Sequence, residues 1–207
     1  MGTTTNNGWP TPVATDLVKD GWEAIKDLGD AIDTTLGVYA PSTPGLTLIN
    51  SLYFSGVASQ AINNVFTSTY DNYRIVFNSI IATSDQGIFF RLRVGGVDTA
   101  GTAYYFAGNA RSYTGSGATT GLGTIAGNAT SNFYLTGTST SGYRSAIVDI
   151  NNPFLARITT YNTLGFNSAD GFHVSGILSN TTSYDGFNIL PAANNITGEV
   201  SVYGYNK

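Results

Sequence analysis

The chain has 207 residues, of which 42% are hydrophobic and only 11% are charged, and its net charge is −4. This length and hydrophobic content allow one domain of ordinary size with an appendage, and they exclude a disordered tail. The absence of cysteine excludes disulfides, thiolate nucleophiles and Cys-based metal sites, and a single histidine, His173, excludes His clusters. We expect no catalytic, cofactor-binding or metal-binding residue.

Residues 1–14 predict an extended N-terminal arm. Pro10 and Pro12 favour an extended path, and Trp9 is the one large apolar side chain of this polar segment. A lone tryptophan in a short arm either packs on the start of the next helix or anchors in a pocket of another protein. The sequence leaves both alternatives open.

Residues 15–36 predict an amphipathic assembly helix, which is coiled-coil-like in its spacing. Apolar positions repeat with steps of 4, 3, 4, 3 and 4, a pattern that keeps one seam facing a partner helix. The members of this seam are Val18, Trp22, Ile25, Gly29, Ile32 and Leu36. A second line beside it, which includes Ala24, Leu28 and Thr35, makes the apolar face wide enough for three helices or for a protein surface.

The opposite face of this segment is acidic and carries the whole net charge. Six acidic residues and two lysines lie within residues 15–36, so the rest of the chain sums to zero. A neutral body has no electrostatic attraction for phosphates, and we expect no nucleic-acid partner. No run of about 18 apolar residues is present, and we expect no membrane insertion.

Residues 37–45 are predicted to form a linker, because they contain two prolines and two glycines. Residues 46–207 are predicted to form a β-sandwich domain. From Leu46 onward the hydrophobic period is two, and short strands are separated by turn signals about every 8–12 residues. The expected fold class is mainly β: a jelly-roll-like antiparallel β-sandwich preceded by one N-terminal amphipathic helix.

Three features of the body predict local structure. Residues 73–83 and 88–94 are separated by a short loop and predict a hairpin. Arg91 and Arg93 share one face of the second strand. This arrangement fits a solvated face, an ion pair within the sheet or a contact with a partner, and the sequence leaves these alternatives open. Residues 70–75 and 184–189 repeat the form Tyr-Asp-small-aromatic-x-Ile, which predicts matching corners of two sheets with the aromatic residue facing inward.

Tyrosines next to loops are the candidate contact residues of the body. The chain has 13 tyrosines, and the glycine-rich residues 109–132 predict long exposed loops or a weak pair of strands. Aromatic faces among amides and hydroxyls suit a sugar ring or an adaptable protein interface, although each tyrosine is also explained as a half-buried strand residue. The candidates for host contact are Tyr113, Tyr134, Tyr161 and Tyr184, of which Tyr113 is expected to be best exposed.

The opening GWPTPVATDLVKDGWEAIKDLGDAID is similar to the N-terminal segment of tail-fibre-like and minor structural proteins of tailed bacteriophages. The body, with TLINSLYFSGVASQAINNVFTSTYDNYRIVF, FFRLRVGG, YYFAG and DGFNILPAANNITGEVSVYGYNK, resembles the β-rich C-terminal domain of many of the same virion proteins. The resemblance covers nearly the whole chain. It implies a virion protein that forms a homotrimer, attaches to another virion protein of the tail or capsid through its N-terminal part, and projects its β domain outward.

We therefore expect a non-enzymatic short tail fibre or receptor-binding spike, made in the host cytoplasm without a signal peptide. A host-surface glycan is the expected ligand of the β domain. A capsid decoration, cement or head-fibre protein is the alternative, and a glycan depolymerase, whose carboxylates would converge from distant strands, is a second alternative. Oligomerisation and docking are assigned to Trp9, Val18, Trp22, Ile25, Leu28, Ile32 and Leu36.

Overall fold

The computed structural model describes residues 2–5, 7–11, 13, 18–39, 45–84, 87–113, 122–137, 142–167 and 170–207. The chain divides into two compact units, Met1–Pro44 and Gly45–Lys207. The division lies inside the segment 37–45 that the sequence predicts to be a linker, of which residues 40–44 are outside the described part. Each unit is considered by itself.

The N-terminal unit contains two short antiparallel strands, β1 (Gly2–Thr3) and β2 (Pro10–Thr11), a 3-10 turn (Val18–Asp20) and one helix, α1 (Gly21–Tyr39). The Thr4 N–H donates to the Trp9 carbonyl at 2.8 Å, and the Gly8 N–H donates to the Thr4 carbonyl at 3.1 Å. The arm is therefore a folded hairpin, which corrects the extended path predicted for residues 1–14. The chain can reverse here because Gly8 adopts a φ of 66°.

The regular part of α1 begins and ends later than the predicted residues 15–36. Its start is shifted because the first turn, from Val18, is a tighter 3-10 turn. Its end is shifted because the helix continues through Gly37 to Tyr39. Residues 15–17 of the predicted helix lie outside the described residues.

The body is a mainly β, antiparallel β-sandwich, and this part of the predicted fold class is confirmed. Its strands form one eight-stranded sheet in the order β3-β15-β5-β11-β12-β13-β8-β9 and one smaller sheet in the order β10-β6-β14-β4, with β7 paired to β6. The strands are β3 (Leu46–Val57), β4 (Gln60–Ile62), β5 (Asn72–Ala82), β6 (Ile88–Val94), β7 (Val97–Asp98), β8 (Tyr104–Ser112), β9 (Leu122–Thr130), β10 (Phe133–Thr136), β11 (Arg144–Asn151), β12 (Thr159–Phe166), β13 (Asp170–Leu178), β14 (Gly186–Pro191) and β15 (Ile196–Tyr205).

The strands form because β-branched and aromatic residues alternate with polar ones. In β15, for example, Val200 and Val202 are fully buried, whereas Ser201 and Tyr203 between and beside them are half-buried on the outer face. The inner faces of the two sheets meet in one hydrophobic core. The pairing of β15 with its edge neighbour β3 shifts register twice, between Ile196 and Gly198 and between Val202 and Tyr203.

The predicted hairpin of residues 73–83 and 88–94 is wrong. Strand β5 pairs with β11 and β15 in the large sheet, whereas β6 pairs with β10, β14 and β7 in the small sheet. The connection between them crosses from one sheet to the other. Both strands have a fully buried face, Ile75 on β5 and Phe90 on β6, and these faces oppose one another across the core instead of lying side by side.

The repeated Tyr-Asp-small-aromatic-x-Ile form lies at corresponding corners of the two sheets, as predicted. Tyr73 near the start of β5 and Phe187 near the start of β14 are both fully buried. Phe66 packs against both rings, with centroid distances of 4.8 Å to Tyr73 and 5.8 Å to Phe187. The two aspartates of the repeated form contact other parts of the body: Asp71 pairs with Lys207, and the Asp185 carboxylate accepts from the Gly95 N–H at 2.8 Å.

Candidate functional site

The predicted seam of α1 is exposed on the N-terminal unit. Val18 is 98% exposed, Trp22 68% and Ile25 66%, and Gly29 on the same line is also exposed. Ile32 is half-buried, and the side chain of Leu36 lies outside the described set. Apolar surface of this kind gains about 25 cal/mol per Å² when it is removed from water, so this line is the candidate docking surface.

The second line of α1 is covered by the unit's own hairpin. Ala24 is 4% exposed, Leu28, Ala31 and Thr35 are half-buried, and β2 contacts the helix. The Trp9 indole Nε1–H donates to Thr35 Oγ1 at 3.0 Å. Trp9 therefore packs near the end of the helix rather than at its start. Trp9 therefore takes part in the internal packing of this unit, whereas the assignment of the half-buried Leu28 to docking stays a prediction.

The assignment to host contact is wrong for three of the four tyrosines, because the side chains of two are buried and that of the third is half-buried. Tyr161 is 1% exposed and Tyr184 is fully buried, where it donates a hydrogen bond to Asn180 Oδ1 at 2.9 Å. Tyr134 is half-buried on β10, and burial raises the pKa of its phenol to about 12. Only Tyr113, which is 62% exposed, remains a contact candidate among these four. It follows β8, which pairs with β9, so the part of residues 109–132 that lies in these two strands forms the strand pair, and residues 114–121 lie outside the described part.

The outer face of the eight-stranded sheet carries apolar side chains that the sequence analysis did not select. Leu164 and Phe166 on β12 are 47% and 42% exposed, and Ile147 on the neighbouring β11 is 41% exposed. The signal was present in β12, where small inward residues such as Thr163 and Gly165 alternate with these large outward ones. Large apolar side chains of a strand are expected to face the core, and β12 reverses this arrangement at Leu164 and Phe166.

Three adjoining grooves lie on this face and share Leu164. The first, of about 300 Å³, is lined by Asn109, Arg111, Tyr113, Leu164, Phe166, Gly171, Phe172 and His173. The second, of about 250 Å³, adds Val76, Ser145 and Ile147, and the third, of about 240 Å³, extends to Arg74 and Asp149. The first volume equals the lower bound of the range of about 300–1,000 Å³ for small-molecule sites, and the other two lie below it, so each groove is shallow by itself.

Gly171 forms the floor of the first groove and sets its shape. A Cβ atom at this position would lie 2.9 Å from the Tyr113 hydroxyl and 3.2 Å from the Phe166 ring. The register of the sheet places Gly171 opposite Phe166 on one side and opposite Arg111 on the other. The glycine therefore lets an aromatic ring from each side approach above the sheet, next to a guanidinium group.

A bidentate ion pair lies at the far side of these grooves. Arg74 Nε donates to Asp149 Oδ1 at 2.8 Å and Arg74 Nη2 to Oδ2 at 2.7 Å, and the Tyr205 hydroxyl donates to Asp149 Oδ1 at 2.7 Å. Burial opposes ionisation of Asp149, but these hydrogen bonds and the Arg74 charge outweigh it, so the pKa of Asp149 is lowered. The pair is self-neutralised and offers no net charge to a ligand.

A second charged cluster explains Arg91 and Arg93 on the small sheet. Both guanidinium groups face Asp98, with Arg91 Nη1 at 3.7 Å from Oδ2 and Arg93 in direct contact with Oδ1. The Asn188 amide donates to Asp98 Oδ2 at 2.8 Å. Of the alternatives that the sequence left open, the ion pair within the sheet is the one observed.

Among the described residues, no group of three or more histidine and acidic side chains could hold a metal ion. His173 is exposed on β13, facing the first groove. No described helix combines the length and the apolar character needed to cross a membrane.

No family model and no curated protein sequence matches the chain. Among solved structures, the chain is similar to the Caenorhabditis elegans galectin LEC-6, with 10% identity, a TM-score of 0.34 and coverage of 75% of this chain and 96% of the galectin. It is also similar to an E221Q mutant of a GH54 α-L-arabinofuranosidase, with 17% identity, a TM-score of 0.34 and coverage of 79% and 40% respectively.

Replacing Asp98 with alanine should lower the free energy of unfolding by about 2–4 kcal/mol. Arg91 and Arg93, whose side chains are 18% and 13% exposed, would lose the carboxylate that compensates their desolvation. The matched control is Asp71→Ala, which breaks the more exposed pair with Lys207 and should cost less than about 1 kcal/mol. Urea denaturation of the three proteins measures both values, and equal losses would contradict this difference.

The Asp149→Asn variant should show a weaker loss of stability in acid than the parent protein. Because the pKa of Asp149 is lowered from 3.8 in the folded state, its ionised form stabilises the fold above that pH. This contribution is lost as the pH falls through the lower, folded-state pKa. Urea denaturation of both proteins at pH 6 and pH 3 measures how much unfolding free energy each loses in acid. Equal losses in the parent and in the variant would show that Asp149 does not contribute to the acid sensitivity.

Proposed function

We propose that the chain is a non-enzymatic virion structural protein of a tailed bacteriophage, most consistent with a short tail fibre or receptor-binding spike. The observation that carries this proposal is the exposed line Val18, Trp22 and Ile25 on an otherwise acidic helix. A helix that exposes a 4-3 repeat of apolar residues is suited to packing against copies of itself. The sequence resemblance to phage virion proteins supplies the context.

In this proposal the occupant of the exposed line is the same line of two further copies, which gives a homotrimer. The hairpin already covers the second line, so one apolar stripe of α1 is left for the neighbouring helices, and the number of three copies rests on the sequence resemblance and not on the width of this face. Lys26 pairs with Asp30 on the exposed polar face, so that face supports the helix without an external partner. The particle is then contacted by another part of the same N-terminal unit, in the tail or the capsid.

The body is proposed to be jelly-roll-like and to contact the host surface. The chain passes repeatedly between the two sheets, from β3 to β4, back to β5 and on to β6, as a rolled sandwich requires. The grooves on the outer face of the large sheet offer exposed aromatic and aliphatic side chains for such contact. The jelly-roll topology and the host contact are parts of the proposal.

The alternatives of a capsid decoration, cement or head-fibre protein differ from a tail fibre in copy number. A tail fibre is present in few copies per particle, whereas a cement protein follows the symmetry of the capsid and is present in hundreds. Quantitative mass spectrometry of purified particles, with the major capsid protein as the internal standard, measures this ratio. We expect few copies per particle, and a ratio near one per capsid subunit would assign the chain to the capsid.

A double variant, Trp22→Glu with Ile25→Glu, should convert the trimer to a monomer. Both side chains are exposed in the single chain, so the substitution does not disturb the fold, but it places charge in a seam buried between copies. The control is Asp27→Asn with Asp33→Asn, which changes two exposed residues outside the seam by a charge of the same size and the opposite sign. Sedimentation velocity measures the mass, and a double Glu variant that remains trimeric would remove the helix from the interface.

A further inference from the structure

The grooves on the outer sheet face contain a cation that the fold does not use. Within the described part of the chain, Arg111 makes no hydrogen bond or ion pair with its side chain, in contrast to Arg74, Arg91 and Arg93, which all face carboxylates. Arg111 is exposed beside Gly171 and lines the groove of about 300 Å³. An unpaired guanidinium in a groove is suited to bidentate binding of a carboxylate.

The walls of this groove beside Arg111 are aromatic and polar. Tyr113 and Phe166 stand on either side of Gly171, with exposures of 62% and 42%, and their rings would both be pushed away by a Cβ at that position. Asn109 and His173, which are paired in register, add exposed polar groups without hydrogen bonds of their own to described residues. Flat apolar rings beside amide and imidazole groups fit a ring that is apolar on its faces and hydroxylated at its edge.

The space continues beyond this first groove. The second groove shares Leu164 and Phe166 with it and leads across β11 to Val76, so that apolar surface runs over several neighbouring strands. Strands lie about 4.8 Å apart, and the distance from β8 to β5 across β13, β12 and β11 is therefore about 19 Å. This length accommodates more than one sugar ring of an extended chain.

We propose that this outer-face groove binds an acidic saccharide, with the sugar carboxylate on Arg111 and the sugar ring on the exposed surface that Tyr113 and Phe166 form together. The inference rests on the proposed host-contact function and adds the chemical class of the ligand and its site. A neutral saccharide would leave the Arg111 charge uncompensated. An acidic peptide would satisfy Arg111 but would not require the two rings above Gly171.

Isothermal titration calorimetry of the full chain tests this proposal with three acidic probes, oligogalacturonate, oligosialic acid and oligoalginate, and with methyl-esterified oligogalacturonate as the neutral match. We expect at least one acidic probe to bind and its ester to bind at least tenfold more weakly. Arg111→Gln should weaken binding of the acidic probe at least tenfold, because it removes a charge-assisted pair. Phe166→Ser should weaken the binding of both the acidic oligosaccharide and its neutral ester, because both would stack on this ring.

The matched control is Arg157→Gln. Arg157 is also an exposed arginine without a side-chain ion pair among the described residues, but it lies outside the grooves, and its loss should leave the affinity unchanged. The proposal is overturned if none of the acidic saccharides binds, if Arg111→Gln and Arg157→Gln behave alike, or if poly-L-glutamate binds as tightly as the saccharide and equally depends on Arg111.

These outcomes are separate from those of the proposed function. A chain that trimerises through Trp22 and Ile25 and is found in few copies per particle, yet binds none of the acidic saccharides, would retain its assignment as a virion protein and lose only the ligand. A chain that binds an acidic saccharide through Arg111 but remains monomeric and is absent from particles would retain the ligand and lose the virion assignment.

Discussion

The body depends on a layer of aromatic rings between its two sheets. Phe187 and Phe90 from the small sheet meet Phe77 and Tyr161 from the large sheet, with ring centroids 5.5–6.2 Å apart. Phe133 extends the layer, at 4.1 Å from Tyr161. Because the chain has no cysteine and few charges, these contacts and the area that they bury supply the cohesion of the sandwich.

This layer also determines which side chains are available for recognition. A tyrosine that faces inward joins the rings and is removed from the surface, as Tyr161 shows, whereas the same strand presents Leu164 and Phe166 outward. The sheet therefore has two apolar faces, one closed by the partner sheet and one open. The open face is where Gly171, Arg111 and Tyr113 come together.

The sequence predicted the mainly β fold, the helix and the acidic distribution because these depend on local periodicity. It did not predict that β5 and β6 belong to different sheets, since both have the same alternation and only the packing across the core distinguishes a hairpin from a crossing. It likewise assigned Tyr184 to the surface because it lies beside polar residues. The groove was missed because Gly171 and Arg111 are 60 positions apart and meet only through the pairing of β13 with β8.

Strand β3 has 12 residues and lies at the edge of the large sheet, so one side of its backbone has no neighbouring strand in that sheet. Long, regular edges of this kind are templates on which further chains add, and they promote aggregation. The pairing of β3 with β15 shifts register twice, and Gly56 on β3 has a φ of 64°. These irregularities bend and twist the edge strand, so that it is not a straight template for another strand. The wide sheet can thereby be exposed to solvent without its border fusing edge to edge with that of another copy.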